Sequence, residues 1–404
     1  MTIGVGGSTP EAEFATMEKM TDGIVPIGVD EHRARIARAQ ELMREQGIDA
    51  LYLDTSPNLF YFTGLKLKPT ERLHGAVIPV DGPVAYLSPN FEEPKTRSML
   101  KLGEDIRVWE EHEDPTALVA ETIASLGHTS GTVAVDPATP FFTFDGLRRA
   151  GNRYDFVTGA SISEACRAVK SDAEIELLKT ANAVTLEVHK RAARILREGI
   201  TTAEVGAFAL EAHRRLGSTP PPGALVLFGE ATAYPHGVDH EQYLKDGDMV
   251  LLDLGGFVGG YRSDMTRTYV FGEPTRRQRD IWELEQAAQA AGFAAARVGG
   301  PHEAVDAAAR ATIVASGFGP DYALPGLPHR TGHGIGLEVH EATYIVKGND
   351  APLKKGMCFL VEPTICIYGE FGIRLEDCAF MAEDGPRWFT PPCHSVDDPF
   401  GVEA

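Results

Sequence analysis

The chain has 404 residues, 43% of them hydrophobic and 24% charged, an ordinary globular composition that predicts two or three domains. Its 38 basic against 58 acidic residues leave a formal charge of −20, which argues against nucleic acid or an anionic membrane as partner. No run approaches the ~18 consecutive apolar residues of a membrane span, and the first residues lack the basic and apolar blocks of a secretory signal. Five cysteines, an odd number with no CxxC pair, predict reduced thiols and a cytoplasmic location.

Residues 1–24 mix Gly, Ser, Thr and acidic residues with little apolar pattern and predict a flexible tail. Asp30 reads as the N-cap of a helix that carries Ile36, Leu42 and Met43 and stops at Gly47. Strand-like runs follow at 50–53, 76–78, 84–87, 106–109 and 133–135. Asp114 and Pro115 open a helix between the last two, and Gly127 stops it. The alternation predicts an α/β domain over 25–165.

A second domain is expected over 166–404. Ser171-Asp172-Ala173-Glu174 is a capping box opening a long helix that ends near Gly199, and Thr201-Thr202-Ala203-Glu204 is another. Gly199 to Gly217 and Gly299 to Gly317 enclose helix-like segments of equal length. Residues 244–253 (LKDGDMVLLD) echo 353–362 (LKKGMCFLVE), and 261–264 (YRSD) echo 373–376 (IRLE). Three echoes in one order predict two copies of a helix-plus-strand unit about a pseudo-twofold axis.

Asp253 and Glu362 each close an apolar strand at equivalent places in these copies. A charged group is almost never fully buried unless it is paired or binds a metal. For one such acid the ordinary reading is a strand-end cap or salt bridge; two at equivalent places weigh against it. Period-two alternation puts Asp264, Thr266 and Thr268 on one face of the next strand, and Arg374 with Glu376 on one face of 373–381. Four converging carboxylates would repel, and one guanidinium, Arg374, cannot balance them.

His333, in Gly332-His333-Gly334-Ile335-Gly336, adds an imidazole where backbone can pack closely; its ordinary reading is a turn histidine. His340 follows seven residues later, but no histidine sits three places after Glu341, so this is not an HExxH zinc helix. The dinucleotide fingerprint, Walker A motif and GxSxG elbow are also missing. Four carboxylates and one imidazole form a hard donor set suited to two divalent ions and to metal-assisted hydrolysis.

Asp253, Asp264 in YxxDxTRT, His333 in GHGIGLEVHE, Glu362 in VEP and Glu376 in RLED together resemble the pita-bread metallopeptidases, which include methionine aminopeptidase, aminopeptidase P and prolidase. The likeness covers 172–390. Residues 55–64 (TSPNLFYFTG) resemble the creatinase-type N-terminal domain of prolidases and aminopeptidase P. The implied architecture is a creatinase-like α/β domain followed by an α+β pita-bread catalytic domain. By this resemblance Asp253 would chelate one metal, His333 and Glu362 the other, and Asp264 and Glu376 would bridge both. The implied ions are two divalent metals, manganese first, with cobalt or zinc as substitutes. Glu362 would also shuttle the proton of a bridging hydroxide. His236 and His340 join it as catalytic groups, and His236, His329, His340 and Arg374 stand on the substrate side, Arg374 also holding carboxylates in place.

The resemblance implies a homodimer acting on a small peptide with proline at its second position. Overall length and the Glu362–Glu376 spacing favour an Xaa-Pro dipeptidase over aminopeptidase P, which takes longer peptides. An ectoine-hydrolase-like amidohydrolase and a non-catalytic binding protein on the same fold are the further alternatives. One departure stands out. The usual family pattern is Glu-Pro-Gly-x-Tyr, whereas this chain reads Glu362-Pro363-Thr364-Ile365-Cys366. Tyr368 would share a face with Cys366 if the strand continued.

Overall fold

The computed structural model describes residues 2–221 and 223–402. They form two compact units, residues 27–167 and residues 1–26 with 168–404. The sequence places these boundaries at 25 and 166.

The first unit is built on a six-stranded sheet in the order Ile106–Trp109, Ala85–Pro89, Gly75–Pro79, Ala50–Leu53, Gly131–Val135, Tyr154–Thr158. Ala50–Leu53 is apolar at all four positions and fully buried, as a strand flanked on both sides requires. It pairs antiparallel with Gly75–Pro79 and parallel with Gly131–Val135. The helix Pro115–Ser125 starts as expected: Asp114 accepts from the Thr116 amide, and Pro115 costs nothing at the first helical position. The helix Val29–Gln46 differs at its start. Its N-cap is Gly28, and Asp30 lies inside the first turn, paired with Arg33 at 2.8 Å. Gly47 ends it at φ +68°, a left-handed conformation that favours glycine.

The second unit carries the repeat. Helices Asp172–Arg194 and Thr202–Arg215 form one pair, and Arg276–Ala295 and Glu303–Ala315 the other. Both expected capping boxes form, at Ser171/Glu174 and Thr201/Glu204, and Thr275/Gln278 adds a third. The first helix pair packs on the sheet of Leu225–Phe228, Met249–Leu254 and Met265–Val270. In the other half a five-stranded sheet runs in the order Glu341–Ile345, Gly332–Gly334, Cys358–Val361, Asp377–Ala382, Gly385–Trp388. The hairpin Thr364–Ile367/Phe371–Arg374 stands beside it. The halves are stitched where Thr266 and Glu376 exchange backbone hydrogen bonds of 3.3 and 3.2 Å.

The expected N-terminal tail is instead part of this unit. Pro10–Ala15 is helical behind the cap Thr9, Phe14 stacks on Phe208 at 4.7 Å, and Glu13 is buried against Arg191 at 3.0 Å. A six-residue helix is too short to show a period, so only its partners in the folded chain reveal it.

Candidate metal centre

Each candidate ligand lies in a buried strand or next to the end of one. Asp253 lies in Met249–Leu254, directly across from Thr266. Asp264 immediately precedes Met265–Val270, Glu362 follows Cys358–Val361, and Glu376 lies between Phe371–Arg374 and Asp377–Ala382. His333 is the middle residue of Gly332–Gly334. The stitch between Thr266 and Glu376 brings these ends together.

Asp264, His333 and Glu376 each offer a ligand atom, and the three atoms lie within 4.8 Å of one another. His333 Nε2 is 3.3 Å from Glu362 Oε1 and 3.9 Å from Asp264 Oδ2. Asp253 is held by Arg374, whose Nη2 is 2.6 Å from Oδ2, while Arg374 Nε is 3.9 Å from Glu376 Oε2. Thr266 donates to Glu376 Oε2 at 2.5 Å and accepts from Arg374 Nε at 3.0 Å.

The electrostatics fit divalent cations. Burial first, then the charge of Asp253, pushes Asp264 well above the usual carboxylate range. Burial and the charge of Asp264 do the same to Glu376. Glu362 is pushed up to about 7 by burial, with Arg374 opposing and Asp253 adding to the rise. Burial lowers His333 to about 3, so its ring is neutral. Its Nδ1 lies 3.0 Å from the Gly334 carbonyl, which only accepts, so Nδ1 carries the hydrogen. Nε2 therefore presents a bare lone pair to carboxylate oxygens. Acceptors facing acceptors in a buried site are stabilised by cations between them.

The histidines expected on the substrate side are placed differently from one another. His340 meets His333 edge to face at 4.3 Å. Burial disfavours protonation of His329 and His340, and His236 lies near enough to add a little to the effect in both. Both ring nitrogens of His329 are engaged, Nδ1 with the Arg330 carbonyl at 2.6 Å and Nε2 with Thr364 Oγ1 at 3.0 Å. Cys366 is buried and pairs its backbone with Gly326. Tyr368 lies beyond the strand end, 54% exposed and stacked on Tyr234 at 4.9 Å.

A supporting layer went unread in the sequence. Arg267 is fully buried; it donates to the Glu376 carbonyl at 3.0 Å and to Asp377 Oδ1 at 2.6 Å. Gln289 donates to the Val361 and Leu375 carbonyls and to Asp377 Oδ2, at 3.3, 3.1 and 3.0 Å. It thus ties together the residues that precede both ligand glutamates. An arginine inside MTRTYV, otherwise a buried strand, is the signal that could have exposed this layer.

The chain matches the model of metallopeptidase family M24 over residues 176–383 and that of the creatinase/prolidase N-terminal domain over 35–169. The probable dipeptidase PepE of Mycobacterium tuberculosis is 36% identical over 354 residues, 87% of this chain and 92% of that protein. The chain belongs to metallopeptidase family M24. It is therefore a hydrolase, with the creatinase-type N-terminal domain and pita-bread catalytic domain of that family, and the family implies a divalent metal. The Xaa-Pro dipeptidase of Lactobacillus helveticus is 31% identical over 87% of this chain and 95% of that one. Among solved structures, dipeptidase PepE from Mycobacterium ulcerans superposes with a TM-score of 0.85 at 33% identity, covering 92% of this chain and 99% of that one.

Proposed function

We propose that this M24 enzyme hydrolyses Xaa-Pro dipeptides with two divalent ions, manganese first, held by Asp253, Asp264, His333, Glu362 and Glu376. The observation that carries this reading is the buried cluster in which His333 Nε2 lies 3.3 Å from Glu362 Oε1 and 3.9 Å from Asp264 Oδ2, with Glu376 beside them. The relatives named dipeptidase and Xaa-Pro dipeptidase support the substrate class.

When bound, such ions polarise the scissile carbonyl and acidify a water. The rest falls to side chains of this chain. Glu362 titrates near neutrality, so its ionised form can take a proton from the attacking water and pass it to the leaving proline nitrogen. Arg374 fixes the Asp253 carboxylate in one orientation. His340 and His236 meet the substrate's polar atoms. An Xaa-Pro bond has no N–H and its two isomers interchange slowly, so enzymes that grip an extended backbone handle it poorly. A site that activates the carbonyl needs no such donor.

We further place the enzyme in the cytoplasm as a homodimer. Five buried free cysteines suit a reducing compartment, and sedimentation tests the assembly. The deciding experiment compares Ala-Pro with Ala-Pro-Ala in added manganese. Preference for the dipeptide supports the reading, and strong preference for the tripeptide makes this an aminopeptidase. Asp253→Asn is expected to fold and to lose turnover; full activity of that variant, or after thorough chelation, refutes the metal mechanism.

A further inference from the structure

Thr364 stands where the chain departs from the resembled Glu-Pro-Gly-x-Tyr pattern, and its hydroxyl is not idle. It is buried, 1% exposed, on the strand Thr364–Ile367, directly opposite Arg374 in register. Its Oγ1 lies 3.0 Å from His329 Nε2. On the other side of the ring, Nδ1 lies 2.6 Å from the Arg330 carbonyl. A carbonyl only accepts, so Nδ1 carries the hydrogen. Burial lowers His329 to about 4, so near neutrality the ring holds a single proton. Nε2 is then an acceptor, and the hydroxyl of Thr364 donates to it. A glycine at 364 has no hydroxyl to give.

The segment bearing His329 is fixed independently. Arg310, on the helix Glu303–Ala315, donates to the His329 and Leu327 carbonyls at 2.8 and 2.9 Å. Asp306, one turn earlier, accepts from the Thr331 amide and hydroxyl at 3.1 and 2.7 Å. With its backbone clamped, the imidazole keeps only the freedom of its own side chain.

We propose that Thr364 is a positioning residue for His329: its hydroxyl and the Arg330 carbonyl lock the imidazole in one tautomer and one orientation. His329 then offers substrate no ring nitrogen. The polar contacts of the histidine cluster fall to His236 and His340, and His329 acts as a fixed wall. The kinetic half of this inference rests on the Xaa-Pro reading; the structural half does not.

The test pairs ring-nitrogen NMR of the 15N-histidine-labelled, metal-free protein with turnover of Ala-Pro by the manganese-loaded enzyme. A His329→Gln variant identifies the ring signals. Wild type is expected to show a neutral Nδ1–H ring with a hydrogen-bonded Nε2. Thr364→Val should move Nε2 downfield and lower kcat/KM about five-fold, the worth of one hydrogen bond. Thr364→Ser should keep the wild-type resonance and stay within about two-fold of wild-type kcat/KM, since it retains the donor. An Nε2 resonance unmoved by Thr364→Val overturns the lock. A moved resonance with wild-type kcat/KM overturns the positioning role, and so does a Thr364→Ser variant that behaves as Thr364→Val. Wild type inert on Ala-Pro refutes the proposed function, while the NMR result still decides the lock.

Discussion

Lys170 Nζ lies 3.0 Å from Glu341 Oε2, and both side chains are buried. The other oxygen of Glu341 accepts the Leu337 and Glu338 amides at 2.8 and 3.3 Å. The carboxylate therefore folds the turn between His333 and His340, and the lysine neutralises it. Gly336 is part of the same arrangement, since a Cβ there would sit 2.6 Å from the carboxylate. Removing one member of a buried pair strands the other charge, which typically costs 3–5 kcal/mol. Lys170→Met is expected to lose about that much in urea unfolding, and adding Glu341→Gln should recover part of it. A loss within about 0.5 kcal/mol, as for an ordinary surface change, would contradict this account.

The metal centre should leave a signature in stability as well as in rate. Without cations, Glu376 shares a buried site with the like charges of Asp264, Glu362 and Asp253, which disfavour its ionisation. Glu376→Gln takes one charge out of this cluster, so the metal-free variant is expected to melt above metal-free wild type. Manganese should reverse the order. At a hundredfold excess over Kd an ion that binds only the folded state adds about 2.7 kcal/mol to wild type, and the variant should gain much less. Thermal melts with chelator and with manganese check both signs; equal gains would remove Glu376 from the ligand set.

Glu285, on the helix Arg276–Ala295, is fully buried, and among the described residues its oxygens make no hydrogen bond of ordinary geometry. Burial pushes its carboxyl well above the usual range, and the Leu375 amide and Arg374 offset this only in part. A folded-state pKa above the unfolded one favours the protonated fold. Its stability is fully present below the unfolded value, ~4.5, and is lost as pH rises. Glu285→Met keeps a similar volume without the charge, so it should stabilise the protein by about 1–3 kcal/mol at pH 7 and by less at pH 4.5. Denaturant unfolding of both proteins at the two pH values tests the sign; a gain that grows on acidification would contradict it.

The contrast between Glu362 and Gln289 shows why the sequence displays some parts of this site and hides others. Glu362 ends an apolar run, so its charge conflicts with its surroundings on the page. The echo with Asp253 then marks both as paired or metal-bound. Capping boxes such as Ser171/Glu174 are equally visible because both partners lie within four residues. Gln289 is one polar residue on a helix of mixed character, and its three acceptors are 72 to 88 positions away. Arg267 and Asp377 meet across 110 positions. Nothing local specifies such partners; sheet pairing delivers them. The helix Pro10–Ala15 was hidden for the same reason, since Phe208 and Arg191 hold it.

Two glycines make the distinction between local and tertiary demands measurable. Gly206 lies within the helix Thr202–Arg215, and a Cβ there would meet its nearest atoms at 4.0 Å, ordinary contact. Glycine in a helix interior is entropically costly, so Gly206→Ala is expected to stabilise by about 0.5–1 kcal/mol. Gly332 adjoins His333, and a Cβ there would fall 1.9 Å from the Leu360 carbonyl oxygen. That oxygen belongs to the neighbouring strand Cys358–Val361, which leads into Glu362, so any relief separates His333 from Glu362. Gly332→Ala is therefore expected to destabilise by about 3 kcal/mol or more, as overpacking in a rigid core does, and to weaken manganese binding at least tenfold. Urea unfolding gives the first quantity and calorimetric titration the second. A Gly332→Ala protein with wild-type manganese affinity would mean that the close approach of these strands does not set the ligand geometry.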